Sequence, residues 1–195
     1  MSGLLVSLQG AVAQGVLWGI MVLGVYITFR LMDIADMTVD GSFALGACVC
    51  AVLVVNKGVN PVLALLVAAV AGVVAGAVTG ILHTVFEIPA ILAGILTMIA
   101  LYSINLHIMG KANVSLLRTD TIFRLASRFL DCGSSVAALV VSGGLILVLV
   151  LWVYWFFGTE LGMCIRATGF NVHMMRAQGV NTDTMTILGL LLSNG

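Results

Sequence analysis

Residues 30–43, RLMDIADMTVDGSF, place three carboxylates (Asp33, Asp36 and Asp40) and one guanidinium (Arg30) between a long apolar run and a shorter one. Ionisable groups at membrane depth are costly unless they face a cavity, water or a partner. The run that follows, residues 41–55, is too short to cross a bilayer alone and opens on glycine, which is the pattern of a broken helix. Broken helices persist in membranes where their freed backbone groups meet protein or a water-lined path, and their N-termini can point at a substrate. Asp40-Gly41-Ser42 would open such a half-helix, with Asp40 or Ser42 as its cap. On this reading Asp36, Thr38, Asp40, Ser42 and Phe43 line a translocation path; the competing reading is an ordinary loop with solvated acids.

A second polar patch is Glu87-Ile88-Pro89. Pro89 suits the first turn of the apolar run 88–109, and Glu87 lies just before it. Within that run Thr97, Tyr102, Ser103 and Asn105 are polar groups on an apolar helix. Glu87, Pro89, Thr97 and Asn105 join the candidate path, although Thr and Ser hydroxyls can also bond back to their own backbone. His83, His107 and His173 have no mutual spacing, and Cys48, Cys50, Cys132 and Cys164 lack the spacing of a zinc or redox site. The chain carries no Ser/His/Asp set, no metal cluster and no phosphate-cradling glycine loop. An enzyme active site and a resident cofactor are therefore not expected.

The elements that must position these residues follow from composition. Of 195 residues, 62% are hydrophobic and 8% charged, and the mean hydropathy is +1.22. A soluble domain carries about 25% charged residues. The chain is an integral membrane protein, expected as an all-α polytopic bundle with a broken second helix. Eight basic against eight acidic residues leave no electrostatic footprint for nucleic acid. The apolar runs are residues 4–29, 41–55, 61–86, 88–109 and 136–157, and a sixth opens near Thr184. Residues 184–195 are too few to cross a bilayer, so the expectation is a single domain over 1–195 that is the N-terminal part of a longer protein. Ala68, Gly72, Gly76 and Gly80 repeat every fourth position and form a flat stripe for close helix approach inside one subunit. Trp152, Tyr154 and Trp155 read as an interfacial belt.

Residues 159–183, TELGMCIRATGFNVHMMRAQGVNTD, read as a polar loop with a short helix in it. Asn171 is a good N-cap, 172–178 make two turns and Gly179 is a natural C′ residue. Asn181 and Thr182 offer a second cap, and Asp183 complements the dipole of the next helix. A two-turn helix is unstable alone in water, so this one needs a surface to dock on. The positive-inside rule weighs Lys111, Arg118, Arg124 and Arg128 in 110–135 against Arg166 and Arg176 here, and would put the helix outside.

Four stretches, MTVDGSFALGA (37–47), IPAILAGILTMIALYSINLHIMGKANV (88–114), ELGMCIRATGFNVHMMRAQGVNTD (160–183) and LGLLLSNG (188–195), carry a resemblance. Together they resemble the permease subunits of bacterial ABC importers in the branched-chain amino acid/ribose superfamily, and within it the tryptophan/tyrosine import permeases. The resemblance implies a multi-pass protein of the inner membrane whose 159–183 segment is a cytoplasmic coupling element, reversing the orientation from charge. It implies that 171–179 docks into a groove on an ATP-binding subunit, which hydrolyses the ATP. Arg166, Gly169, Asn171, Met174, Met175, Arg176, Gln178 and Gly179 would form that contact, with the two methionines as adaptable apolar surface and the arginines as polar anchors. Phe170 and Val172-His173 depart from the family pattern, where Asp and Pro-Arg are common. The implied partners are a periplasmic or lipid-anchored solute-binding protein, met through 110–135, a second permease copy and the lipid bilayer. The implied solute is amino acid-like, such as tryptophan or tyrosine. The alternatives are a secondary carrier in which Asp36, Asp40 or Glu87 couples an ion, and a membrane fragment that transports nothing.

Overall fold

The computed structural model describes residues 2–111 and 134–195. Helix α1 spans Ser2–Tyr26 and continues into a π-helical turn, Ile27–Leu31. It is followed by α2 (Thr38–Lys57), α3 (Pro61–Thr84), α4 (Ala90–Met109), α5 (Ser134–Phe157), α6 (Glu160–Phe170), α7 (Val172–Ala177) and α8 (Thr182–Asn194). Among the described residues all regular structure is helical, as expected, and five helices are long and apolar enough to cross a membrane. Arg118, Arg124, Arg128 and Cys132 lie outside the described residues.

The second helix corrects the sequence reading. It is unbroken over 20 residues, about 30 Å at 1.5 Å per residue, and so crosses alone. The interruption precedes it: Asp33 takes a positive φ of 55°, and no helix forms again until Thr38. Met37 holds the N-cap position without a side-chain bond, and Asp36, one residue earlier, takes over the capping by accepting from the Thr38 N–H at 2.8 Å, so the helix opens one turn before Gly41. At the other end Gly58, at φ 58°, lets the chain turn back after Lys57. Asn60 then caps α3 by accepting from the Val62 N–H at 3.1 Å, with Pro61 in the first turn. Pro89 stands at the N-cap position of α4, one residue outside the helix.

The stripe on α3 is a seam inside the subunit. A Cβ at Gly72 would overlap the Asn194 carbonyl, and one at Gly76 the Leu190 carbonyl. At Gly80 it would lie 3.1 Å from Ile187. Helix α8 thus rests on the bare backbone of α3. Ala68 turns instead toward Gly46 of α2. Helix α2 packs between α3 and α4 through Leu45, Ala75 and Leu101, whereas α5 packs mainly along α1. Trp152, Tyr154 and Trp155 are exposed at the end of α5, as a belt requires.

Candidate coupling hairpin and interior polar network

The segment after α5 is two helices joined at one residue. Thr159 caps α6, accepting from the Gly162 N–H at 3.4 Å, and the helix runs through eleven residues that read as loop in the sequence. Its two glycines allow close approach. A Cβ at Gly162 would overlap the Phe156–Phe157 backbone, and one at Gly169 the backbone of Leu31 and Met32. Asn171 ends α6 in extended conformation, and its side chain starts α7 by accepting from the Met174 N–H at 3.0 Å. Gly179 turns the chain at φ 81°. Asn181 then caps α8, accepting from the N–H groups of Asp183 and Thr184 at 3.1 and 3.2 Å. The cap assignments at Asn171, Gly179 and Asn181 match the structure.

Of the residues expected at the docking surface, Met175 turns inward, and Arg176 is tied to the next helix while its side chain stays more than half exposed. Met175 is buried, 4% exposed, and faces its own subunit. Arg176 Nε donates to Thr182 Oγ1 at 2.9 Å, and its Nη2 pairs with Asp183 at 3.2 Å, so the guanidinium closes the turn between α7 and α8. The apolar surface left outward is Phe170, 83% exposed, with Val172 and Met174 beside it. Arg166, Asn171, Gln178 and Gly179 are exposed and Gly169 half-buried. Below the hairpin a cleft of about 260 Å³ is lined by Met32, Asp33, His83, Thr168, Val172 and Thr186. It separates the hairpin from the α1–α2 link and the end of α3.

The candidate path divides. Asp36, Thr38 and Ser42 are buried and joined. Besides capping α2, Asp36 accepts from Asn194 Nδ2 at 2.8 Å through Oδ2, and Asn194 Oδ1 accepts from the Ser42 hydroxyl at 2.7 Å. The hydroxyls of Thr38 and Thr79 lie 2.8 Å apart. Gly94 makes room for this knot, since a Cβ there would lie 2.8 Å from the Met37 nitrogen and 3.3 Å from Asp36 Oδ1. Sequence reasoning missed Thr79 and Asn194; the signal available was a hydroxyl flanked by apolar residues within run 61–86 and an amide in the last apolar stretch. Asp40, Phe43, Glu87 and Pro89 are exposed and do not join it; Phe43 packs on Trp18, ring centroids 5.6 Å apart. Thr97 donates to the Ala93 carbonyl of its own helix at 3.0 Å and borders an apolar cleft of about 560 Å³ between α3 and α4. Asn105 is 7% exposed, and its Oδ1 has no hydrogen-bond partner. Among the described residues no three His, Cys, Asp or Glu side chains gather to hold a metal ion.

The family described as branched-chain amino acid transport system / permease component matches residues 7–194. A tyrosine transport system permease protein of Clostridioides difficile (strain R20291) is 38% identical over 195 residues, all of this chain and 61% of that protein. An uncharacterized protein of Rickettsia prowazekii (strain Madrid E) is 33% identical over 185 residues, 95% of this chain and 62% of that protein. The chain thus spans about three fifths of the length of these relatives. No solved structure matches.

Proposed function

This chain belongs to the family of permease components of branched-chain amino acid transport systems, and on that premise we propose that it is the membrane-spanning part of an ATP-driven importer for an aromatic amino acid. It is a multi-pass protein of the bacterial inner membrane and a component of an amino acid-type transport system. ATP would be hydrolysed by a separate subunit docked on the hairpin from the cytoplasm. A solute-binding protein would deliver the solute from the other side, and two permease copies would share the path. The aromatic solute is taken from the name of the Clostridioides difficile relative.

The observation that carries this reading is the hairpin. A helix of six residues does not persist in water, yet α7 is capped at both ends, tied to α8 by Arg176 and anchored by buried Met175. A rigid element ending in Phe170, Val172 and Met174, all exposed at the end of the spans, suits docking into an apolar groove. Helix α8 leads from it straight to the buried knot around Asp36, which gives docking a route to the interior.

Co-purification of an ATP-binding subunit with the full-length permease tests this. Replacing Phe170 and Met174 by Asp should abolish retention while the membrane level is unchanged. Uptake of labelled tyrosine that follows ATP rather than the proton gradient completes the test. Uptake lost on adding a protonophore, with ATP intact, would point to an ion-coupled carrier instead.

A further inference from the structure

Over Thr182–Asn194, helix α8 is tied by polar side chains at two places and faces α3 through bare backbone between them. Beside the hairpin, Arg176 holds Thr182 and Asp183. At the deep end Ser193 donates to the Gly24 carbonyl of α1 at 2.8 Å. Next to it, Asn194 bonds Asp36 at 2.8 Å and Ser42 at 2.7 Å. In between, α8 lies on Gly72, Gly76 and Gly80 of α3, and among the described residues no side-chain hydrogen bond joins these two helices. On its other side Gly189 lies against Met32, and Met185, Leu188 and Leu192 pack on the cluster of Ile27, Phe157 and Ile165. Toward α3 a displacement of the hairpin meets no polar tie, and it reaches the Asn194 side chain. Asp36 is 3% exposed and also caps α2 through the Thr38 N–H. A buried carboxylate that loses a donor is left poorly satisfied, so the bond to Asn194 is costly to break.

We infer that Asp36 and Asn194 are positioning residues, a clasp that carries movement of the hairpin along α8 into the start of α2 and the polar knot there. The inference rests on the reading of the hairpin as the surface an ATP-binding subunit displaces. A tie that only stabilises the fold would look the same at rest, so the test must separate the two.

The chemistry of the pair allows an exchange. Asn194→Asp alone sets two carboxylates against each other where a donor and an acceptor met. Asp36→Asn added to it restores the tie between the two positions: a carboxamide at position 36 accepts from the Thr38 N–H and donates to the carboxylate at position 194, which accepts from Ser42, while the Leu190 carbonyl loses the donor that Asn194 Nδ2 gives it at 3.0 Å. The full-length permease is reconstituted with its ATP-binding subunit, and labelled tyrosine taken up per ATP hydrolysed is measured. In parallel, alkylation of Cys164, half-buried in α6, is followed in membranes with Cys48, Cys50 and Cys132 replaced by Ser. Asn194→Asp should lower uptake per ATP at least tenfold in assembled complexes and speed Cys164 alkylation at least threefold. The exchanged pair, still without a donor to the Leu190 carbonyl, should recover uptake per ATP at least threefold over Asn194→Asp and bring alkylation back toward the unaltered rate. Unchanged uptake per ATP in Asn194→Asp, or no recovery in the exchanged pair, overturns the clasp. Should Asn194→Asp fail to assemble, Ser42→Ala takes its place. A threefold or larger fall in uptake per ATP then supports the clasp, and an unchanged ratio overturns it. If the unaltered permease transports without ATP, the ATP-driven reading fails and alkylation decides alone: a faster rate reversed by the exchange supports the clasp, an unchanged rate sinks it.

Discussion

Arg176 reaches across the turn to Thr182, Nε to Oγ1 at 2.9 Å, and so fixes the angle at which α7 meets α8. Its ion pair with Asp183 is exposed on both sides and contributes little, since exposed pairs are worth about 0–1 kcal/mol. The bond to buried Thr182 matters more. A double-mutant cycle between Arg176→Ala and Asp183→Asn should give a coupling below about 1 kcal/mol, whereas Thr182→Val should cost about 1 kcal/mol. Thermal denaturation in detergent reads both. A coupling to Asp183 larger than the cost of Thr182→Val would contradict this division.

The α3–α8 seam predicts a contrast between a glycine in the seam and one outside it. Gly76→Ala forces a methyl into the Leu190 carbonyl, and overpacking of this kind costs about 1–3 kcal/mol. Gly143 of α5 has nothing within 4 Å of a built Cβ, so Gly143→Ala should be neutral or stabilising by up to about 1 kcal/mol from helix propensity. Equal effects of the two substitutions on the melting temperature would refute the seam.

Gly179 adopts φ 81°, a region that L residues enter at a cost. Gly179→Ala should destabilise by about 1–2 kcal/mol, and Gly179→Asn by less, because Asn tolerates left-handed backbone. On the proposed docking, loss of an ATP-binding subunit should follow the same order in pull-down experiments.

Asn105 offers the opposite sign. Its buried Oδ1 has no partner, and an unsatisfied buried acceptor costs about 1–3 kcal/mol. Asn105→Leu should therefore leave the melting temperature unchanged or raise it. If uptake falls in that stable variant, Asn105 meets the solute on its way through; unchanged uptake removes it from the path.

Much of this architecture is legible in the chain. Apolar runs locate the five spans, and Asn171, Gly179 and Asn181 announce their caps because capping is local chemistry. The errors share a cause, which is that the deciding partner is distant or backward. Helix α2 looked short because its cap comes from Asp36, before the apolar run, rather than from Asp40 or Ser42 within it. Helix α6 was missed because the stretch reads as a polar loop, and nothing local shows that Gly162 and Gly169 serve close contact with Phe157 and Met32. Asn194 lies 158 residues from Asp36, and no spacing rule connects them. The inward turn of Met175 was equally invisible, since two adjacent methionines look alike until one face of the helix is covered.

Asn171 alone separates α6 from α7, with φ −157° and ψ 96°. A hinge one residue long leaves no slack to absorb errors of length. One added residue at this point would change both the spacing and the direction of α7 relative to α6, turning Val172 and Met174 away from whatever they face. Substitutions here can be graded, but insertions and deletions should act as all-or-none lesions.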